Sequence, residues 1–242
     1  MSGIVVMGAA GGCGTTTFAC ALALALAGEG ESVLMIDLDA HGGGPSALWG
    51  IPAARVLDDI HALGDGIAPE HLDHLVHRHP AGIDVMAGAR APEAVTAWAP
   101  AAAAALAAHV TARGSWVVDA GRGDTRVAAA LVARAGLAVV LVPRTVHGAH
   151  RAARMIDRDG DGDGTGNGTG SGGSEAPRRA VMVATDLPGG ERIPERALAR
   201  ATGHEVIAGA PRDDRAAARV ASAQAARGRG LARAVACVRG AM

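Results

Sequence analysis

The chain has 242 residues, a formal net charge of −1, and a composition that is 49% hydrophobic but only 2% aromatic. That length suits one substantial domain, and the balanced charge excludes an overall attraction to nucleic acid or anionic membrane. With so few aromatic rings the core has to be built from Ala, Val, Leu and Ile, as in helices packed on a buried parallel sheet. Residues 4–7 (IVVM) form a short β-branched run followed by glycines, which predicts a buried first strand. Thr15 or Thr16 opens a helix that runs to Ala27 and stops at Gly28. Residues 32–37 (SVLMID) predict a second buried strand ending in acids. Further strands are expected at 83–86, 116–118, 138–142 and 180–184, with a weaker one at 205–207. Helices are expected between them at 69–78, 92–113 (broken or kinked at Pro100), 125–135, 146–156 and 194–201. Strands alternating with helices indicate an α/β fold with a mostly parallel sheet covered on both faces.

The whole chain, 1–242, reads as a single domain. Residues 158–176, within a run of Gly, Asp and Ser, have nothing to bury and predict a flexible linker inside it. Cys13, Cys20 and Cys237 have no metal spacing and leave an odd thiol, which points to a reducing cytoplasm rather than a disulfide framework. The start has no basic region or apolar run of signal-peptide length, and the apolar stretch 18–27 is too short to span a bilayer. From Pro211 onward seven arginines face only Asp213 and Asp214. That excess suggests a peripheral contact with acidic lipid or DNA phosphates, set against the plainer reading of a terminal helix, 231–242, docking on the sheet.

Gly8-Ala9-Ala10-Gly11-Gly12-Cys13-Gly14-Thr15-Thr16-Thr17 lies between the first strand and the first helix. Glycines there let the backbone turn tightly and aim N–H groups at phosphate oxygens. The helix N-terminus adds a favourable dipole, and a hydroxyl at the end of the loop suits a Mg²⁺ ligand. An ordinary phosphate loop ends Gly-Lys-Ser/Thr. Here Thr15 follows Gly14, and all 23 basic residues of the chain are arginine. Asp37 and Asp39 close the second strand, and Asp119 closes another buried run (SWVVDAGRGD). Carboxylates at the C-terminal ends of parallel strands face the crevice where ligands bind.

This order of motifs resembles the ParA/MinD superclass of deviant Walker A ATPases, and within it the CpaE/TadZ branch associated with pilus and secretion machinery. The similarity spans residues 3–50, extends more loosely over 115–145, and is architectural beyond. Gly11-Gly12-Cys13-Gly14 and Thr16-Thr17 match the family loop, whereas Ala10 and Thr15 stand at its two lysine positions. Asp37-Leu38-Asp39-Ala40-His41-Gly42-Gly43-Gly44 is similar to the actinobacterial CpaE-like form of the second-strand motif. A receiver-like N-terminal domain, common in that branch, is not expected, because the phosphate loop begins within ten residues of the start.

The resemblance implies ATP or ADP with Mg²⁺ as cofactors. Gly11, Gly12, Cys13, Gly14, Thr15, Thr16 and Thr17 would cradle the phosphates, with Cys13 as packing rather than nucleophile. Thr16, Asp37 and Asp119 would sit near Mg²⁺, Asp39 would orient the attacking water, and Arg212 and Asp213 would lie on the adenine side. Without either lysine, binding is expected to survive better than turnover, unless an arginine substitutes, from Arg122 or from a partner. The expected function is an ATP-binding switch or scaffold, able to dimerise, for pilus, secretion or division machinery. The alternatives are an active MinD/ParA-type ATPase cycling on membrane or nucleoid, and an interaction domain that binds no nucleotide. Two further patterns have plainer readings. His71, His74, His77 and His79 fall on an expected helix whose apolar stripe is Leu72, Leu75 and Val76, so His74 and His77 should face solvent rather than zinc. Asp157-Arg158-Asp159-Gly160-Asp161-Gly162 opens like a calcium loop, but Gly168 stands where its bidentate Glu is required.

Overall fold

Consecutive residues of the first strand serve two different cores. In the computed structural model β1 (Gly3–Gly8) sends Ile4 and Val6 to one face and Val5 and Met7 to the other, and all four are buried. This is the period-two alternation of a strand covered on both sides, and it explains why the sequence shows a continuous apolar run there. The structure describes residues 3–39, 44–61, 63, 66–90, 94, 97–157, 179–188, 192–227 and 230–242. The segment read as a linker (158–176), with the calcium-like run from Arg158 onward, lies outside them, as do residues 40–43.

The other strands are β2 (Val33–Asp37), β3 (Val76–Arg78), β4 (Ile83–Met86), β5 (Ser115–Asp119), β6 (Leu137–Pro143), β7 (Ala180–Thr185) and β8 (Val206–Ala210). Among the described residues they form one sheet in the order β3-β4-β2-β5-β1-β6-β7-β8. Every pairing is parallel except the short β3–β4 ladder at the edge. The fold is therefore α/β with a mostly parallel sheet between two helical layers. No described helix is long and apolar enough to cross a membrane.

One layer contains α1 (Thr15–Ala27), α2 (Pro45–Leu48), α9 (Asp214–Ala221) and α10 (Leu231–Gly240), packed over Ile4, Val6, Val33 and Met35. Helix α1 buries Phe18 through Leu24 without a break, as a helix surrounded by protein does. The other contains α4 (Pro69–His74), α5 (Pro100–Thr111), α6 (Arg126–Val132), α7 (Val146–Asp157) and α8 (Glu195–Thr202). The short α3 (Asp58–His61) adds Ile60 to that second core.

One helical expectation changes. The segment 69–78 is not one helix: α4 ends at His74, and Val76, His77 and Arg78 pair antiparallel with Met86, Val85 and Asp84. The sheet edge supplied backbone partners that the local pattern could not reveal. In the segment 92–113 the expected break is present: Ala94 is helical, residues 97–99 are not, and α5 starts at Pro100, which occupies its first turn. A proline lacks the N–H that such a position leaves unbonded, so it begins the helix rather than kinking it. Trp98 is buried just before it, and Trp49 is buried with its indole N–H donating to the Val220 carbonyl at 2.9 Å.

Candidate functional site

The sheet order places β1 in the centre, with β5 on one side and β6 on the other, so the chain changes direction at its C-terminal end. Ligand crevices of open α/β sheets form at such a point. The Gly-rich turn from β1 into α1 occupies it. Gly12 and Gly14 have φ of +74° and +89°, a region that costs other residues roughly 1–2 kcal/mol. The loop is anchored at its base, where the Gly8 N–H donates to the Gly121 carbonyl at 2.8 Å and the Ala9 N–H to that of Leu141 at 2.9 Å. From Ala10 to Thr17 no backbone N–H makes a hydrogen bond among the described residues; bonding resumes where the Phe18 N–H meets the Gly14 carbonyl at 2.9 Å. A run of unbonded N–H groups at a helix N-terminus is a cradle for an anion. Cys13 is 5% exposed and its Sγ lies 3.3 Å from Thr15 Oγ1, consistent with packing.

Asp37 and Asp119 end neighbouring strands and are opposite each other in the β2–β5 register. Asp37 is held on both oxygens. Oδ2 accepts from the Ser46 hydroxyl at 2.7 Å and the Ser46 N–H at 3.2 Å, and Oδ1 accepts from the Asp39 N–H at 3.2 Å. A Cβ on Gly44 would come 2.2 Å from Asp37 Oδ1, so only glycine fits against this carboxylate. Burial raises the Asp37 pKa, and the bonds from Ser46 work against that rise.

Asp119 has no exposure at all. Its Oδ1 accepts from the Gly121 N–H at 3.1 Å, and its Oδ2 has no partner among the described residues. Burial pushes its pKa up to about 7; the Thr16 hydroxyl opposes the shift and the Asp37 carboxylate adds to it. A buried carboxylate oxygen without a donor calls for a proton or a cation. The donor set at hand, the Thr16 hydroxyl with one or two carboxylates, is of the hard-oxygen kind that suits a hydrated Mg²⁺. Asp39 is half-buried and lines a cavity of about 440 Å³ together with Gly11, Thr16 and Arg122. On the other side of the loop, Gly12, Thr17 and Phe18 share a cavity of about 170 Å³ with Arg212 and Asp213. The two cavities meet at the phosphate loop, through Gly12, Gly14 and Thr17.

Residues 4–224 match the family described as the CobQ/CobB/MinD/ParA nucleotide binding domain. The chain belongs to that family. Among solved structures, a ParA family ATPase from Chlorobium tepidum TLS is similar at 18% identity, with a TM-score of 0.75 over 97% of this chain and 96% of that one. The septum site-determining protein MinD of Pyrococcus horikoshii OT3, complexed with Mg-ADP, is similar at 17% identity, TM-score 0.74, covering 100% and 96%. The MinC:MinD cell division protein complex of Aquifex aeolicus gives 16% identity, TM-score 0.71, covering 99% and 96%. At these identities the likeness is one of fold. No curated protein matches the chain.

Of the residues that the sequence singles out, Gly11, Gly12, Cys13, Gly14, Thr15, Thr16, Thr17, Asp39, Arg212 and Asp213 line the two cavities. Asp37 lines an adjoining one with Ser46 and Arg90, and Asp119 is buried behind the loop. Asp213 also caps α9, accepting from the Ala216 N–H at 2.9 Å. The sequence reading missed Ser46, a lone serine with no motif of its own, and Thr185, whose buried hydroxyl has no partner among the described residues and faces the smaller cavity.

The histidines do not share a face. His77 is buried on β3, with Nε2 2.9 Å from the Arg55 carbonyl, which corrects the solvent-facing expectation. The reason is the strand it joins: period-two pairing turns inward a residue that a helix would turn out. His74 is exposed, the His71 ring accepts from the Ala68 N–H at 3.0 Å, and His79 stacks on Trp49 at 5.2 Å.

Proposed function

We propose that this member of the family is an ATP-binding switch or scaffold of the CpaE/TadZ-like branch, one that positions pilus, secretion or division machinery and hydrolyses ATP slowly or not at all. The observation that carries the reading is the run of unbonded N–H groups from Ala10 to Thr17 beside the orphaned oxygen of Asp119. In this reading Gly11, Gly12, Cys13, Gly14, Thr15, Thr16 and Thr17 hold the phosphates through backbone and hydroxyl groups. Arg212 and Asp213 border the adenine side, in the cavity that adjoins the loop. Thr16 would ligate Mg²⁺, with Asp119 and Asp37 holding its water shell. Mg²⁺ would neutralise charge on the phosphates. Asp39, on the phosphate side, would orient the attacking water. The Mg-ADP of the Pyrococcus horikoshii MinD and the partner complex of the Aquifex aeolicus MinD support the choice of ligand and of a protein partner. A homodimer is part of the same proposal.

Slow turnover follows from the charges. Phosphoryl transfer depends on positioning and on neutralising charge in the transition state, and removal of one such donor typically costs on the order of 10²–10³ in rate. Ala10 and Thr15 occupy the two lysine positions of the family loop, and neither carries charge. The Arg-rich C-terminus favours docking over a surface contact: α10 buries Leu231, Ala234, Val235 and Val238, and Arg239 pairs with Glu29. A cytoplasmic location, with at most a peripheral membrane or DNA contact through the exposed arginines, accompanies this reading.

The test is binding of fluorescent ATP and ADP, with and without Mg²⁺, to the purified protein and to Asp119→Ala. Micromolar, Mg²⁺-dependent binding that the variant loses supports the switch. No binding at high micromolar nucleotide would leave an interaction domain that keeps only the fold. Turnover close to that of lysine-bearing relatives would favour the cycling ATPase instead.

A further inference from the structure

The cavity on the phosphate side has two charged groups among its described lining residues, Asp39 and Arg122. A nucleoside triphosphate brings several negative charges to a place that already holds the carboxylates of Asp37, Asp39 and Asp119. The chain has no lysine to offset them. Among the described residues that line this cavity, Arg122 is the cation that the fold delivers.

Its delivery is built into the backbone. Arg122 stands between Gly121 and Gly123, whose φ values are +54° and +67°. A Cβ on Gly121 would lie 2.6 Å from Asp39 Oδ1, and one on Gly123 would lie 2.5 Å from Met7 Sδ. The turn is tied to β1 and to the phosphate loop, with the Ala120 N–H donating to the Val6 carbonyl at 3.0 Å and the Gly8 N–H to that of Gly121 at 2.8 Å. Across the cavity the guanidinium reaches the loop: a Cβ built on Gly11 would lie 3.7 Å from Arg122 Nη2. The side chain is exposed and makes no ion pair or hydrogen bond among the described residues.

We propose that Arg122 supplies, from the turn after β5, the cation that neutralises the polyphosphate of the bound nucleotide, taking over the binding role of the absent lysines but not their role in the transition state, so that turnover stays slow. A planar guanidinium suits this role because it presents paired donors to phosphate oxygens. The inference rests on the nucleotide-binding reading above.

The experiment compares binding of Mg-ATP, Mg-ADP and adenosine by the full chain and by R122A, R122K and the double variant R122A/T15K. R122A is expected to weaken ATP binding on the order of tenfold to a hundredfold, the loss of a charged hydrogen-bonding partner. ADP should lose less, and adenosine nothing. R122K should recover part of the ATP affinity, and T15K should restore it from the opposite side of the cavity. Melting of the nucleotide-free protein should be the same for wild type and R122A, because the side chain is exposed. ATP binding by R122A within twofold of wild type, or equal losses for ATP and adenosine, would overturn the inference while the nucleotide reading stands. Absence of ATP binding by the wild type would instead overturn that reading, and the role of Arg122 with it.

Discussion

Asp119 carries an electrostatic cost that depends on pH. Its folded-state pKa of about 7 lies above the ordinary carboxylate value near 4, so between those limits the folded chain binds a proton that the unfolded chain has released. Stability of the nucleotide-free protein should therefore fall as pH rises from about 4 to about 7, and by roughly 4 kcal/mol from this residue. Denaturant melts at pH 5 and pH 8 should differ by roughly 3 kcal/mol of that, because at pH 5 the unfolded chain has already released its proton. Asp119→Asn should flatten that dependence and be the more stable protein at pH 8, while losing Mg²⁺-dependent nucleotide binding. The loop glycines make a different prediction. Nothing lies within 4 Å of a Cβ on Gly14, so Gly14→Ala costs only its left-handed φ, about 1–2 kcal/mol. A melting shift much larger than that would show that the loop backbone is held more tightly than its contacts indicate. The identities of Gly12, Gly14, Asp37 and Asp119 were legible because each is tied to one local feature: a turn or a strand end. Ser46 was not, since its bond to Asp37 spans nine residues and belongs to no local pattern.

Helix α2 has only four residues and is too short to be stable by itself. It is held at both ends by tertiary bonds, Ser46 to Asp37 and the Trp49 indole to Val220. Ser46→Ala should lower stability by about 1–3 kcal/mol, the cost of leaving a buried carboxylate oxygen short of a donor. It should also raise the Asp37 pKa further, which carboxyl-region NMR titration would detect. At α9 the cap is a single side chain, and Asp213→Ala should cost about 1 kcal/mol in a thermal melt. That loss is separable from any loss of nucleotide affinity, because it is present without ligand. The strands that the sequence located are β-branched runs bounded by glycine or acid. Strand β3 escaped because its three residues follow Leu72 and Leu75 at helical spacing, and only pairing with β4 makes them extended.

For the molecule as a whole, nucleotide binding and stability are linked. A ligand at a hundredfold excess over its dissociation constant stabilises the folded state by about 2.7 kcal/mol. For a domain of this size that is a rise in melting temperature of roughly 5–10 °C, expected with Mg-ATP and absent with Asp119→Ala. The α/β class, the phosphate loop and the carboxylates at the strand ends can be read along the chain, because periodicity, glycine torsion and strand termination are local properties. What those residues face depends on the folded arrangement. It brings Asp37 against Asp119 from strands separated by more than seventy residues of chain, and sets Arg122 across from Gly11. It also turns His77 into the core. These are consequences of sheet order and register, which arise from pairing between distant segments, and no window of sequence contains them.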